Sequence, residues 1–428
     1  MKPKSMFSII PVIIFSGLLA LPLYGQDLKY RPVEFDPALK EMKEANEDNR
    51  DEILDETEQI RDQQKDEEKR ERENRKILAI DWSGIRKPTA LDDFKQIWHF
   101  PPTRQYLTGT CWSFSTTSFL ESEIQRQYGK KIKMSEMFTV YNEYLYKAQR
   151  YLEERGDSFL GQGSEANAVT KVWKNYGVVP RDIYPGVIAL DGRFDHSNMF
   201  KEIKHYLAWV KEHDYWDQEL ALNSIRVIMD RYLGQPPQHF IYEGVEYNPK
   251  EFLEEVLWLD VNDYVALLST LKFPFYEYCE FEVPDNWWHS SDYYNVPLDD
   301  YYNVIETAVK SGYSVLLGGD VSEPGIEGTE DAAIIPAFDV PREMINQESR
   351  ELRMENKAST DDHGIHIVGH KKIGKDNWFL IKDSGSGAYR GQFPGYYFYR
   401  ADYIKLKMIT VMVHKDIVQK VVKEFREE

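Results

Sequence analysis

One cysteine of this chain lies where a thiol could act as a nucleophile. The chain has 428 residues and two cysteines, and Cys111 stands in the segment QYLTGTCWSF. Apolar residues at Trp112, Phe114 and Phe119, with Gly129 as a stop signal, predict an amphipathic helix that begins at or near Cys111. Free N–H groups at a helix N-terminus stabilise a thiolate, which is the nucleophilic form. The alternative is a small buried side chain that packs beside a tryptophan.

A nucleophilic thiol needs a base, and two histidines lie on a predicted hairpin. The segments HGIHIVGHKK and NWFLIKDS predict antiparallel strands joined by a turn at 373–376. Because side chains alternate along a strand, only one of His363 and His366 is expected to face the thiol. Counting outward from residue 373 places Asp383 opposite His363 and Leu380 opposite His366. A carboxylate can orient an imidazole and a leucine cannot, so His363 is the predicted base and Asp383 its orienting partner.

Such a nucleophile also needs donors for the oxyanion that forms when it attacks a carbonyl group. The backbone N–H of Cys111 is one predicted donor. The side-chain amide of Gln105 is the second, if the turn at 108–110 folds it back toward the thiol. Gly109 is expected to give that turn its conformational freedom.

Taken together, these residues resemble the papain-like cysteine peptidases, and within them the bleomycin hydrolase and aminopeptidase C branch. That family has a glutamine six residues before a Cys-Trp-x-Phe helix start, and a histidine with a glycine six residues later. This chain has Gln105, CWSF from Cys111, and His363 with Gly369. Further segments similar to the branch follow in order within about residues 80–415: YGVVP, PDNWW, NVPLDD and GGDVSE. The resemblance implies a two-lobed α+β fold, with the cysteine helix in a helical left lobe and the histidine and aspartate in an antiparallel β right lobe.

The sequence departs from the family at two places. The family has Asn-Ser-Trp-Gly where this chain has DSGSG, so Asp383 replaces the asparagine and Gly385 the tryptophan that shields the orienting bond. In the branch, the final residues enter the cleft and their carboxylate anchors the free amine of the substrate. Here the chain ends in HKDIVQKVVKEFREE, a charged segment that is predicted to be helical.

The elements that position these residues fall into three predicted segments. Residues 1–25 read as a signal peptide, because two lysines precede an apolar run. Residues 26–76 form a charged helical arm, interpreted as a spacer, with a coiled-coil partner site or an inhibitory pro-segment as alternatives. Residues 77–428 form the compact domain, with a helical insertion at about 198–271. Helices early and strands late indicate an α+β architecture.

Composition narrows the possible partners. The net charge of −19 argues against nucleic acid and anionic membrane surfaces. We expect an exported protein, periplasmic or secreted, without stable membrane insertion once the signal peptide is removed. Two cysteines allow at most one disulfide and are compatible with an unpaired reactive thiol. No metal-ligand set emerges among the histidines, carboxylates and cysteines, so neither a metal nor a cofactor is expected.

The sequence therefore predicts a cysteine peptidase with a Cys-His-Asp triad of Cys111, His363 and Asp383, acting on peptides through an acyl-enzyme. Aminopeptidase action on short peptides is the first interpretation. Endopeptidase action is the second. The third is a catalytically inactive homologue that binds peptides or serves as a scaffold. The resemblance also implies a homo-oligomer, since the branch forms ring-shaped hexamers.

Overall fold

The structure is a computed structural model that describes residues 30–76, 78–189 and 191–426. The predicted signal peptide at 1–25 lies outside the described residues. By its contacts the chain divides into two units, one up to Lys76 and one that follows it. Within the described part, none of the helices combines the length and the apolar composition that crossing a bilayer requires.

The first unit contains one long helix, α1, from Pro37 to Asn74. Its first turn is capped by Asp36, whose Oδ1 accepts the N–H of Ala38 at 2.8 Å. Ion pairs along its surface include Lys40 with Glu44 at 3.7 Å. Its few apolar side chains are more than half exposed: Leu39, Met42, Ile53, Leu54 and Ile60. This is the predicted charged helix.

The helices of the second unit begin with the one that carries the thiol. Their bounds are α2 Cys111–Tyr128, α3 Glu136–Glu153, α4 Ala166–Tyr176, α5 Ser197–Glu212, α6 Gln218–Leu233, α7 Pro249–Glu251, α8 Leu298–Lys310, α9 Gln347–Glu355, α10 Ala401–Lys407 and α11 Lys415–Val421. Helix α2 begins at Cys111 as predicted, and it ends at Gly129, which has a left-handed φ of 70° and donates its N–H to the carbonyl of Gln125.

The strands of the second unit form one large, mostly antiparallel sheet and a small hairpin. The sheet contains β1 Lys95–Gln96, β4 Tyr264–Leu268, β5 Tyr278–Cys279, β6 Tyr293–Asn295, β7 Val315–Gly319, β8 Ile326–Glu327, β9 Ala332–Ala333, β10 His363–Ile373, β11 Asp376–Lys382, β12 Tyr396–Arg400 and β13 Met408–His414, and the hairpin pairs β2 Phe240–Tyr242 with β3 Val245–Tyr247. Within the sheet, the order is β5-β6-β4-β13-β7-β10-β11-β12-β9-β8, with β1 on β10. The predicted hairpin is β10–β11, and the α+β expectation is confirmed.

Two predictions about these elements were wrong. Helix α2 is not amphipathic, because every side chain from Trp112 to Ile124 is buried between helices on one side and the sheet on the other. The predicted helical insertion at 198–271 is helical only in part. It also contains the β2–β3 hairpin, and its last segment, YVALL, is β4, since a short apolar run in mid-sheet pairs with β13 and β6.

Candidate active site

Cys111 is the first residue of α2 and lies on the wall of a cleft of about 190 Å³. Its side chain is partly exposed, as a reagent or substrate requires. The approach to the helix is fixed by Gln162, whose Oε1 accepts the N–H of Gly109 at 2.8 Å and whose carbonyl accepts Trp112 Nε1 at 3.0 Å. Gly109 does not have positive φ. It is needed for close packing instead, because a Cβ there would lie 3.0 Å from Gln162 Cβ.

His363 lies beside Cys111 and is bonded on its other nitrogen to Asp383. The distance from His363 Nε2 to Asp383 Oδ1 is 2.7 Å, and the exposed fractions of the two side chains are 10% and 4%. The Cys111 thiol lies close enough to the same imidazole to help raise its pKa. Because Nε2 is engaged by the carboxylate, Nδ1 is the nitrogen that remains for the thiol. The three predicted side chains therefore form one row, with Cys111 and His363 on the wall of the cleft.

The electrostatics of this row favour a protonated imidazole. Burial lowers the pKa of His363, but the charges of Asp383 and Cys111 and their hydrogen bonds outweigh it and raise the pKa well above its ordinary value.

The register that led to His363 was wrong, although the pair itself forms. Strands β10 and β11 pair Ile373 with Asp376 and Gly369 with Leu380, so the hairpin is centred between residues 374 and 375 rather than on 373. A bulge then shifts the register, and His366 lies opposite Lys382, not Leu380. Asp383 directly follows β11, and its carboxylate reaches His363 from beyond the last ladder pair.

His366 takes no part in the row. Its ring is fully buried, and its Nδ1 lies 2.9 Å from Ser118 Oγ, about 10 Å along α2 from Cys111. The residue that brings His363 close to Cys111 is Gly364. A Cβ at Gly364 would lie 2.7 Å from Ser115 Oγ and 3.4 Å from Trp112 Cα, so a side chain there would have to displace Ser115 Oγ or move β10 away from α2. Sequence reasoning missed this residue, and the only signal for it was a glycine directly after the histidine.

Gln105 is buried and lines the same cleft as Cys111. Its Nε2 donates to the carbonyl of Thr108 at 2.7 Å, and its Oε1 accepts from Ser384 Oγ at 2.7 Å. Its backbone N–H donates to the Ser384 carbonyl at 3.0 Å. The second hydrogen of Nε2 is left for another acceptor. Since Ser384 follows Asp383, one segment holds both Gln105 and the carboxylate that orients the histidine.

Gly385 stands where the family has tryptophan. Its N–H donates to Asp383 Oδ1 at 2.7 Å, the same oxygen that His363 Nε2 contacts. A Cβ at this position would lie 3.1 Å from His363 Cε1 and Nε2. The backbone N–H of Gly385 therefore helps to hold the Asp383 carboxylate. The absence of a side chain at Gly385 avoids a close contact with the imidazole ring.

The second cysteine is remote from this row. Cys279 is buried on β5, and burial raises its pKa to about 11. A buried thiol with a raised pKa is a poor nucleophile. Among the described residues, no group of three or more His, Cys, Asp or Glu side chains is placed to hold a metal ion.

The C-terminal segment packs against the sheet. Helix α11 is followed by Phe425, whose ring contacts Tyr294 of β6 at 5.1 Å between centroids. Among the described residues, none of 415–426 lines the cleft at Cys111.

The cleft also carries acidic side chains that sequence reasoning missed. Glu165, Asp285, Asp361 and Asp362 line it together with Cys111 and His363. They are separated by up to about 200 residues in the sequence, so no local motif signals them. The only sequence signal for an acidic cleft was the position of Asp361 and Asp362, which directly precede His363.

A cysteine at the start of a buried helix, facing a histidine and an aspartate on an antiparallel sheet, defines a papain-like cysteine peptidase. The sequence model of the Peptidase C1-like family matches residues 94–428, so the chain belongs to this family. It is 22% identical over 342 residues to aminopeptidase C of Listeria innocua, which covers 66% of this chain and 77% of the relative. It is also 22% identical over 367 residues to aminopeptidase C of Lactococcus lactis, covering 74% and 81%.

A solved structure shares the fold. PepW from Lactobacillus rhamnosis HN001 superposes with a TM-score of 0.58 at 17% identity, covering 77% of this chain and 84% of that chain. The resemblance to the papain-like peptidases and the aminopeptidase C branch is thereby confirmed, as is the papain-like α+β fold. The chain is a cysteine-type peptidase.

Proposed function

We propose that this protein is a cysteine aminopeptidase that hydrolyses short peptides through a Cys111–His363–Asp383 triad. The observation that carries the proposal is the placement of Cys111 in one cleft with His363, whose imidazole is hydrogen-bonded to Asp383. Similarity to aminopeptidase C over most of the chain supports exopeptidase action.

The geometry supports the following reaction. The Cys111 thiolate attacks the carbonyl carbon of the scissile bond, and the oxyanion accepts hydrogen bonds from the Cys111 N–H and Gln105 Nε2. The imidazolium Nδ1–H of His363 gives its proton to the leaving amine, the C–N bond breaks, and a thioester forms. The neutral imidazole then takes a proton from water and the hydroxide attacks the thioester. The C–S bond breaks, the acid product leaves, and the Cys111 thiolate is regenerated beside the His363 imidazolium. Asp383 keeps the ring in the orientation that presents Nδ1.

Labelling with a peptidyl chloromethyl ketone, followed by mapping of the adduct, tests the triad. Cys111 should be labelled rapidly in the native protein and slowly in the His363→Ala variant, with Cys279 as the internal reference. Labelling of Cys111 no faster than in the denatured protein would contradict the proposal and favour an inactive peptide-binding homologue. The Gln105→Ala variant should lose about 10²- to 10³-fold in kcat while still being labelled.

Endopeptidase action is the second candidate. The observation that favours it is the packing of the C-terminal segment on β6, away from the cleft, since this segment is the substrate-amine anchor in the branch that the sequence resembles. Peptides with free and N-acetylated amino termini distinguish the two activities. Cleavage of unblocked peptides one residue at a time supports the aminopeptidase, and internal cleavage of acetylated peptides at equal rates supports the endopeptidase.

A further inference from the structure

One acidic side chain of the cleft lacks the partners that a buried carboxylate normally has. Glu165 is only 4% exposed and lines the cleft. It is the N-cap residue of α4, yet its side chain makes no capping hydrogen bond. No donor within the described residues reaches its Oε1, and its Oε2 accepts a long bond, 3.4 Å, from Tyr293. A buried carboxylate oxygen without a donor is costly, which indicates that a ligand supplies one.

Asp361 adjoins Glu165 and completes the pair. Burial raises the pKa of Glu165 well above its ordinary value, and the neighbouring Asp361 raises it further. Burial raises the pKa of Asp361 to about 6, although its hydrogen bond with Glu165 acts in the opposite direction. Neighbouring carboxyl groups with raised pKa values retain a proton more readily than two separate carboxyl groups do. Asp285 lies nearby and its pKa is also raised, first by burial.

Two cations lie near this pair, the His363 imidazolium and Lys147, and both have other partners, since His363 is bonded to Asp383. Lys147 is buried, and its ammonium donates to the carbonyls of Gly161 and Gly163. Burial lowers its pKa, while Glu143, Asp285 and Glu165 oppose that effect. The remaining acidic neighbour, Asp362, accepts the N–H of Val321 at 3.0 Å. The pair is thus left as an acceptor site for a cation from outside.

We propose that Glu165 and Asp361 bind the α-ammonium group of the peptide substrate, an inference that rests on the proposed peptidase function of Cys111. Asp361 is two residues from His363, at most about 7 Å along the chain, which keeps the bound ammonium within one or two residues of the attacked carbonyl. An ammonium group has three donors, enough to satisfy Glu165 Oε1 and Asp361 together. Residues 415–426, the described part of the C-terminal segment, do not line the cleft, so this pair is the group proposed to hold the amine.

Aminoacyl and acetyl-aminoacyl coumarylamides with the same leucine residue test this proposal. In Asp361→Asn and Glu165→Gln, kcat/KM for the free-amine substrate should fall about 10- to 100-fold, mainly through KM, while kcat/KM for the acetylated substrate should change less than twofold. The exposed Glu348→Gln on α9 is the matched control and should leave both values unchanged. An equal loss on both substrates, or no loss on either, overturns the proposal.

A third substrate, acetyl-lysyl coumarylamide, separates the α-ammonium from a side-chain cation. A loss confined to this substrate in the two variants overturns the proposal, because the pair would then bind a lysine side chain. Rapid labelling of Cys111 without any preference for the free amine overturns this proposal alone. Absence of labelling overturns the proposed function itself.

The wild-type protein supplies a test that does not depend on variants. The ratio of kcat/KM for free-amine over acetylated substrate should rise as pH increases through about 6, since Asp361 must be ionised to bind a cation. It should fall again near pH 8, where the substrate amine loses its proton. The ratio removes the contributions of Cys111 and His363, which both substrates share. A ratio that is flat from pH 5 to 9 overturns the proposal.

Discussion

Replacing Asp383 by asparagine isolates the effect of its charge on His363. The amide oxygen of asparagine can still accept the hydrogen bond that spans 2.7 Å in the native chain, so the ring keeps its orientation. Only the negative charge is lost. Since burial lowers the pKa of His363 and the Asp383 charge opposes burial, the substitution should lower that pKa.

The size of the effect follows from the separation of the two groups. Charges centred about 4 Å apart, at an effective dielectric constant of about 20, attract by about 4 kcal/mol, which corresponds to about 3 pKa units. The groups are nearly buried, so solvent screens this attraction little. The imidazolium gives its proton to the leaving amine, so peptidase activity is lost as pH rises through the pKa of His363. The alkaline limb of the profile should therefore move down by as much as about 3 pH units in Asp383→Asn.

The assay is kcat/KM against pH from 4 to 10.5 on one coumarylamide substrate. The wild type should keep activity well above pH 6.5, and the variant should lose it near or below that pH. The exposed Asp92→Asn is the control and should leave the alkaline limb in place. An alkaline limb of Asp383→Asn within half a pH unit of the wild type would refute the reasoning that this charge sets the pKa of His363.

Three further substitutions test how the row is held. Gly364→Val should separate β10 from α2, because its side chain meets Ser115 Oγ, and both the melting temperature and kcat should fall, at a cost of about 1–3 kcal/mol. Ser384→Ala removes the bond to Gln105 Oε1, so kcat should fall up to about tenfold with KM unchanged. Cys279→Ala should leave Cys111 labelling and kcat/KM unchanged, because the buried thiol lies outside the cleft.

For each of these three substitutions, a specific result would contradict the prediction. An active Gly364→Val with unchanged melting temperature would mean that the strand can approach α2 without glycine. A change in KM alone in Ser384→Ala would mean that Gln105 contacts bound substrate rather than the oxyanion. Reduced labelling of Cys111 in Cys279→Ala would show that the two thiols are linked through the fold.

Local sequence patterns predicted most helices and strands, but not which of their faces are buried by neighbouring elements. The start of α2 at Cys111 followed from helix signals. The burial of its polar side chains could not be predicted, because it depends on the pairing of Glu121 with Lys133 and of Glu123 with Arg126. Strand β4 was missed because YVALL follows a helix-rich stretch, and a short apolar run becomes a strand only when the sheet supplies neighbours on both sides.

The site was predictable where it depends on local motifs and not where it depends on tertiary register. Gln105, Cys111 and His363 line one cleft as the spacing indicated. The bulge next to Val368 could not be read from the sequence, and it moved every pairing beyond it. Glu165 could not be found either, because its role depends on a partner 196 positions away in the chain.

The missing tryptophan was the strongest sequence argument for an inactive protein, and the structure weakens it. The His363–Asp383 pair is shielded without an indole, since the carboxylate is only 4% exposed. The charge of Asp383 helps to raise the pKa of Tyr389 and Tyr397, after burial, so these side chains lie within its field. Gly385 adds an N–H to the oxygen that His363 contacts. A carboxylate with two donors on one oxygen orients the imidazole and also stabilises its charge, which a neutral asparagine cannot do.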